Sequence, residues 1–581
     1  MRSSSSAKLL AVAVVMGLVL SACGSQQQSS EPSGSSGASA QPSSNATGGT
    51  VRIGIGGSPD SLNPGNGLLE EAYTLYELVY DTPIRVNQAG DFVPELATDW
   101  SVSDDGLTWT VDIRDDAVFH DGTPLTAEDV AFSIQLYKDT PDFPYLPSYA
   151  TYFDTIEATD ATTVTLTTTD PIGNFEANMA FMYVLPKHIW EDVAACPEKD
   201  DSCDDPIEFQ NLDMIGSGPF KLAQYKRREF TLLAANDAYW NGRPNIDEVD
   251  FLTYKNADSR VQALTSGEVD AISEFPATAY TALNNAENVH VHAADIGAGG
   301  DLTDILFNTV SPENCPTEDG GKCTGHPALQ EVEVRRALAM AIDKQNIIDV
   351  ALVGLGSPGV GFVPPGLGDY FIGTDADIPY DPAGANALLD QAGYTDTDGD
   401  GIRECKAGQA CPTGDLTFRF NFPDDSDTAP REAQLISQMW AAIGVKITIA
   451  ALDPDTLTSV CCPAFDYDVI RWGWGSDPDP GFLLGVTTCQ EIPTGYSETG
   501  YCDEGYDQLY ADQGRETDRD ARIEIVHQMQ QQLLDDVPYI VPYYSGVVEA
   551  WRTDTFTGWL DDNPTFGLTA PETLTVLRPT E

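Results

Sequence analysis

The sequence has few basic residues for its length. Its 581 residues include 30 lysines and arginines against 91 aspartates and glutamates, a formal net charge of -61. Such a surface repels phosphate backbones, which excludes nucleic acid as a partner. The acidity suits either a solubility surface on an exported protein or the attraction of a cationic ligand, and we favour the first explanation.

Known patterns of catalytic and metal-binding residues are also missing. No H-E-x-x-H and no G-x-S-x-G occurs in the chain. There are only six histidines, and no C-x2-C pair has matching histidines, which argues against a zinc site. We therefore expect a protein that is not an enzyme.

A long apolar run occurs once, at residues 9–20, and it is too short to span a membrane. Residues 1–22 are therefore predicted to be a secretory signal. The residues that end in Cys23 resemble a bacterial lipobox, which predicts a lipid on the Cys23 sulfur; the alternative is an ordinary cleavage site before a cysteine. Residues 23–50 are small and polar and predict a flexible tether at the outer face of the cell membrane.

The remaining roughly 530 residues can form two or three domain-sized cores, and we expect this body to be water-soluble. Ten cysteines other than Cys23 remain, an even number that suits disulfides in an oxidising compartment. Three predicted pairs close short loops: Cys196 with Cys203, Cys315 with Cys323, and Cys405 with Cys411. The pairing of four others stays open: Cys461, Cys462, Cys489 and Cys502.

Local patterns predict several elements. Residues 51–55 alternate as a strand, and residues 70–80 have the spacing of an amphipathic helix. Thr126 can cap a helix that follows it, and residues 334–348 predict one continuous helix.

Residues 94–135 read PELATDWSVSDDGLTWTVDIRDDAVFHDGTPLTAEDVAFSIQ. This stretch resembles the signature region of the extracellular solute-binding proteins of ATP-binding-cassette (ABC) importers, the oligopeptide and dipeptide class known as family 5, in its lipoprotein form. Further stretches follow in the order of that family: VLPKHIW at 184–190, IGSGPFKL at 215–222, LTSGEVDAI at 264–272, HPALQEVEVRRALAMAIDKQNII at 326–348 and YDPAGANALLDQAGY at 380–394. The resemblance covers residues 51 to about 575.

The resemblance implies an α/β fold of the two-lobed, periplasmic-binding-protein-like kind (class II type), with an extra domain inserted in lobe I and lobes that close over ligand by a hinge. It implies lobe I from residues 51–86, 215–300 and 545–581, the extra domain from residues 87–214, and lobe II from residues 301–544.

Residues 467–482, YDVIRWGWGSDPDPGF, are the candidate ligand site. In peptide-binding members of the family, the aspartate three residues after the tryptophan receives the free amino group of the peptide, and here these residues are Trp474 and Asp477. This chain is one residue shorter than the usual pattern, so the carboxylate that faces the cleft is either Asp477 or Asp479; prolines and aspartates that only cap a turn are the alternative. Three further residues complete the candidate set: Trp472 as a stacking surface, and Gly473 and Gly475 as sites of backbone access.

Residues 396–404, DTDGDGIRE, match the opening of an EF-hand-like calcium loop. Asp396, Asp398 and Asp400 are the candidate ligands, and Glu404 could replace the missing glutamate at position twelve. An acidic turn is the alternative. No other cofactor is expected.

Together these features predict a lipid-anchored, monomeric receptor outside the cytoplasm that captures peptides by hinge closure and delivers them to a membrane permease with its ATPase subunits. An oligosaccharide receptor of the same family is the alternative, because residues 467–482 are rich in tryptophan.

Overall fold

A computed structural model describes residues 47–87, 91–196, 205–293, 302–409, 411–424, 426, 428–475, 478–546, 548–559 and 567–580. The strands in chain order are β1 Thr50–Ile55, β2 Ile84–Val86, β3 Phe92–Pro94, β4 Ala97–Val102, β5 Thr108–Ile113, β6 Phe153–Ala158, β7 Thr163–Thr168, β8 Phe220–Lys226, β9 Phe230–Ala235, β10 Glu248–Thr253, β11 Ala271–Ile272, β12 Val289–Ala293, β13 Leu302–Phe307, β14 Ser357–Pro358, β15 Thr417–Pro423, β16 Lys446–Leu452, β17 Val469–Trp474, β18 Tyr539–Tyr544, β19 Val548–Arg552, β20 Phe556–Thr557 and β21 Arg578–Pro579. The helices are α1 Glu70–Val79, α2 Ala127–Asp139, α3 Leu146–Ala150, α4 Phe175–Ala180, α5 Lys187–Ala194, α6 Ala257–Ser266, α7 Tyr280–Asn284, α8 Val332–Met340, α9 Lys344–Ala351, α10 Pro382–Ala392, α11 Ala429–Ala441, α12 Pro454–Cys461, α13 Gly481–Gly485, α14 Glu491–Thr494, α15 Glu504–Arg515, α16 Arg519–Asp536 and α17 Pro571–Val576.

The first lobe is built on a seven-stranded mixed sheet in the order β12-β19-β11-β1-β10-β9-β8. The predicted strand at residues 51–55 is its central strand β1, which pairs in parallel with β10 and β11. A four-stranded antiparallel sheet, β4-β5-β7-β6, shares one continuous apolar core with this sheet. We include both sheets in the first lobe.

The second lobe is built on a six-stranded sheet in the order β14-β18-β13-β17-β15-β16. Its strand β13 is buried along its whole length, because alternate side chains enter different cores on the two faces. Ile305 and Phe307 join one core, and Leu302 and Leu306 join the other.

The chain crosses between the two large sheets near their ends. Strand β12 belongs to the first sheet and β13 to the second, and the short link from β18 to β19 leads back to the first sheet. These are the strand memberships that the structure describes; the residue limits of the lobes and of the extra domain given above stay a prediction.

Local predictions had mixed outcomes. Thr126 and Asp129 form a capping box at the start of α2, as the sequence predicts. The prediction of one helix over residues 334–348 is wrong, because Asp343 caps a separate helix α9 after α8 has ended at Met340.

The described disulfides confirm two predicted pairs, Cys315–Cys323 and Cys405–Cys411. The four cysteines left open pair as Cys461–Cys462 and Cys489–Cys502. Cys203 lies outside the described residues, so its bridge to Cys196 stays a prediction. The signal segment, Cys23 and the tether up to residue 46 also lie outside them. No helix within the described ranges has the length and apolarity that a membrane crossing requires.

Candidate functional site

A cavity of about 690 Å³ is lined by residues from both lobes. The first lobe contributes one face of α1, the β2–β3 ribbon, the segment around α4 and the start of α17. The second lobe contributes Gly366, Leu367 and Tyr370, the pair Pro478 and Asp479, and the beginning of α16. This volume lies in the range of about 300 to 1,000 Å³ that is usual for small-ligand sites.

Helix α1 presents Glu70, Tyr73, Thr74 and Glu77 to the cavity. These positions follow the spacing i, i+3, i+4, i+7, which places them on one face, while the opposite face of α1 packs into the core. Burial by the surrounding protein, with the nearby Glu572 carboxylate, raises the pKa of Glu77 to about 7. The residue is nevertheless exposed, and it lines the cavity.

The β2–β3 ribbon contributes Arg85, whose charge is already shared by two carboxylates. Arg85 lies 3.2 Å from the Oε1 atom of Glu95 and 2.7 Å from the Oε1 atom of Glu572. Glu95 also accepts hydrogen bonds from the amide and hydroxyl of Thr82. Burial nevertheless raises the pKa of Glu95 to about 8.

Glu549 extends from β19 into the cavity wall and is only 5% exposed. Its Oε1 atom accepts a hydrogen bond of 2.8 Å from the amide of Leu568, and its Oε2 atom has no partner among the described residues. Burial raises the pKa of this carboxyl to about 8. The close approach requires glycine at position 567, since a Cβ atom there would lie 2.4 Å from Oε1.

The wall of the second lobe contains a buried ion pair. Arg522 contacts both carboxylate oxygens of Asp479, at 2.6 and 2.8 Å, and also donates to Tyr370 and Gln513. Two parallel hydrogen bonds of this kind fix both side chains. Asp479 therefore lines the cavity, but its charge is compensated by Arg522.

Of the six residues predicted to bind ligand, Asp479 is the one that the structure places on the cavity wall. Asp477 lies outside the described residues. Trp472 and Trp474 pack against an apolar core of the second lobe, because they occupy the same face of β17 as the buried Ile470. The backbone of Gly473 approaches β13, where an added Cβ atom would lie 2.5 Å from the carbonyl oxygen of Leu302.

Gly475 is exposed after the end of β17. The backbone pairing of β17 is asymmetric. It pairs with β13 from Val469 to Trp474, whereas its pairing with β15 ends at Ile470. Within the described ranges, residues 471–474 therefore have one strand edge that β15 does not cover.

Two acids lie beside β17, Glu498 and Asp304. The indole nitrogen of Trp474 donates to Glu498 at 2.8 Å. Asp304 stands opposite Trp472 on β13, is fully buried, and has no hydrogen-bond partner for either carboxylate oxygen. Burial raises the pKa of Asp304 to about 7, and burial together with Asp304 raises the pKa of Glu498.

The acidic loop at residues 396–404 is well ordered by its own hydrogen bonds. Asp396 accepts from the amides of Gly399 and Gly401, and Glu404 accepts from those of Thr397 and Asp398. Carboxylate oxygens of Asp396, Asp398 and Glu404 come within 4.8 Å of one another, and that group does not include Asp400. The oxygen donors suit calcium, and calcium binding there stays a prediction.

The sequence interpretation missed Glu77, Glu549 and Arg522. The helical spacing of α1 was a usable signal for Glu77, and an acid flanked by apolar residues in a strand was one for Glu549. Neither pattern could indicate that these residues, far apart in the chain, line one cavity.

The comparison with known families is decisive. The model of the family described as "Bacterial extracellular solute-binding proteins, family 5 Middle" matches residues 91–492, which is more than half of the chain. The chain belongs to this family of extracellular solute-binding proteins. The resemblance seen in residues 94–135 and in the later stretches is thereby confirmed.

Relatives of this family 5 solute-binding protein match it over most of its length. Oligopeptide-binding protein AppA of Bacillus subtilis is 26% identical over 556 residues, covering 94% of each chain. Di/tripeptide-binding protein 1 of Pseudomonas aeruginosa is 27% identical over 497 residues, covering 82% of this chain and 85% of the relative. The crystal structure of the ABC transporter substrate binding protein CtaP from Listeria monocytogenes is 27% identical, with a TM-score of 0.75 over 92% of this chain and 100% of that one. The predicted two-lobed α/β fold is confirmed.

Proposed function

We propose that this protein is the peptide-binding receptor of an ABC importer. The observation that carries the proposal is the match to an oligopeptide-binding protein over 94% of both chains. A cavity between two lobes supports it, because a ligand held there contacts both lobes and favours their closure.

Two features suit an extended peptide. The strand edge at residues 471–474 can pair with the backbone of a peptide, as in β-strand addition. Asp477 is the proposed acceptor of the free amino group, since Asp479 is already paired with Arg522. The oligosaccharide alternative loses its main support, because Trp472 and Trp474 pack against a core of the second lobe.

The remaining parts of the proposal concern location and partners. A lipid on Cys23 anchors the protein to the outer face of the cell membrane, and the tether that extends to residue 50 holds the body there. The receptor acts as a monomer, performs no covalent chemistry, and delivers its ligand to permease and ATPase subunits encoded elsewhere.

The direct test is native mass spectrometry of the body, residues 47–581, purified from its own host, followed by release and sequencing of the bound molecules. We expect co-purified peptides with a narrow range of lengths. Bound sugars, or hydrolysis of added peptides at the rate of a peptidase, would overturn the proposal.

A further inference from the structure

Resting on the proposed function, we propose that Glu77 and Glu549 form a subsite for a cationic side chain of the bound peptide. The preferred substrates are then peptides that contain lysine or arginine. The subsite belongs to the cavity wall of the first lobe.

The charges on the cavity wall are unbalanced. Acidic residues on the wall outnumber arginines by eight to three, and no lysine or histidine lines it within the described residues. Arg85 is shared between Glu95 and Glu572, and Arg522 is held by Asp479. The third arginine, Arg519, contacts Asp369, which is not on the wall. Five of the eight acids on the wall therefore form no close ion pair with an arginine of the wall.

Glu77 is one of the five acids on the wall that these pairings leave out. It makes no hydrogen bond or close ion pair with any described residue, although it lies on the face of α1 that lines the cavity. The charges that act on it are those of Glu572, Arg85 and Glu70. An unpaired carboxylate in an enclosed site gains strongly from a ligand cation.

Glu549 provides a second, independent observation. Its side chain is 95% enclosed by protein, Oε1 is fixed by the amide of Leu568, and Oε2 is left to the cavity. A buried carboxylate with a free oxygen is costly to keep unless something else supplies a donor. Glu77 and Glu549 line the same cavity, and Glu70 acts electrostatically on both.

The rest of the wall suits the stem of a long cationic side chain. Tyr73, Tyr183, Phe181 and Ala177 also line the cavity and contribute apolar surface to it. Lysine and arginine place methylene groups on such surfaces and extend the charged end to an acceptor, and aromatic faces also attract cations. The free amino group of the peptide is a different cation, and it is assigned to the second lobe through Asp477.

The test is calorimetric titration of the body with pentapeptides of alanine in which one position carries lysine, arginine, norleucine, citrulline or glutamate. The substituted position is moved from the second to the fifth residue. Each peptide is used with a free and with an acetylated amino terminus, at about pH 8 and low salt. We expect at least one position where lysine and arginine bind about tenfold more tightly than norleucine and citrulline, and glutamate binds most weakly.

Two variants assign the effect to the subsite. Glu549→Gln and Glu77→Gln should each reduce the ratio of lysine to norleucine affinity to less than about threefold. Glu77→Gln is not expected to disturb folding, because the Glu77 side chain has no hydrogen-bond or ion-pair partner to lose. Glu287→Gln, on an exposed turn away from the cavity, is the matched control and should keep the full ratio.

The outcomes separate the two proposals. If no peptide binds, the proposed function is wrong. If peptides bind but side-chain charge changes affinity by less than about threefold, or if both variants keep the full ratio, the subsite is wrong while peptide binding stands. If acetylation of the amino terminus is the only change that alters affinity, the protein recognises the charged terminus of the peptide and not a cationic side chain. The subsite is then again wrong.

Discussion

Asp304 is an ionisable residue in a fully buried place. Neither of its carboxylate oxygens has a hydrogen-bond partner, and burial raises its pKa to about 7. An acid whose pKa is raised by folding binds its proton more tightly in the folded state than in the unfolded state. Its contribution to stability is therefore complete below the unfolded pKa of about 4 and is lost as the pH rises toward about 7.

We expect Asp304→Asn to flatten this dependence. Between about pH 4.5 and about pH 8, the wild-type protein should lose about 2 kcal/mol or more of unfolding free energy relative to the variant. Denaturant unfolding at both pH values measures the difference. Asp99→Asn, at an exposed position on β4, is the control and should follow the wild type. Parallel curves for wild type and Asp304→Asn would show that Asp304 does not titrate in this range.

Asp477 and Asp479 are close in sequence, and we expect them to differ in role. Asp479→Asn leaves Arg522 buried without its charge partner and should lower the unfolding free energy by about 3 kcal/mol. Asp477→Asn should leave stability unchanged but weaken peptide binding by about 2 kcal/mol or more. Thermal unfolding and calorimetry, run on both variants, separate the effects. Equal affinity of Asp477→Asn for free and acetylated peptides is expected; retention of the wild-type preference for the free terminus would contradict the assignment.

Single residues in the site were only partly predictable. The β-branched residues at positions 469 and 470, followed by glycines and prolines, are a local signal for a strand that ends within residues 467–482, and β17 ends at Trp474. The partner of Asp479 was not predictable, since Arg522 lies 43 residues further along the chain. Whether the tryptophans of β17 pack in a core or face a ligand depends on the neighbouring strands of the sheet. The local sequence does not reveal which strands these are.

At the scale of elements, the loop at residues 396–404 can be considered separately from the rest of the fold. Its hydrogen bonds within the loop orient Asp396, Asp398 and Glu404 toward one another. We expect calcium to bind with a dissociation constant of about 10⁻⁴ to 10⁻³ M, as in extracellular modules, and to raise the melting temperature. Calorimetric titration with calcium chloride measures the affinity.

Asp396→Asn should abolish this binding, and Asp349→Asn, on the exposed side of α9, should keep it. Heat of dilution alone in the wild-type titration would favour the simple acidic turn. Removal of calcium by a chelator should lower the melting temperature of the wild-type protein and leave that of Asp396→Asn unchanged.

Elements were predictable where the signal is local. The strand at residues 51–55 and helices α1 and α2 follow from alternation, helical spacing and the capping residues Thr126 and Asp129. The break between α8 and α9 was missed, because the apolar pattern continues through Ala341 and Ile342, directly before Asp343 caps α9. The pairing of Cys489 with Cys502 stayed open, because the adjacent Cys461 and Cys462 could bond to each other or to the two later cysteines. Only the fold decides between these pairings.

At the scale of the whole molecule, the two lobes also meet outside the cavity. The amide of Gly173, in the first lobe, donates to the carbonyl oxygen of Gly514 in α15 at 2.9 Å. Arg515 and Asp170 lie 3.6 Å apart beside this contact. The approach is so close that a Cβ atom on Gly173 would lie 2.2 Å from the carbonyl oxygen of Glu516. Contacts of this kind exist only when the lobes are closed to this extent.

Gly173→Ala should therefore oppose closure without affecting either lobe alone. We expect peptide affinity to fall about tenfold, because part of the binding free energy must be used to hold the lobes in a strained contact. Small-angle scattering should show a smaller ligand-induced decrease in the radius of gyration than in the wild type. Gly514→Ala is the matched control, since an added Cβ atom there meets no other atom within 4 Å, and it should bind and close normally. Wild-type affinity and full compaction in Gly173→Ala would show that ligand capture does not require the lobes to meet at this point.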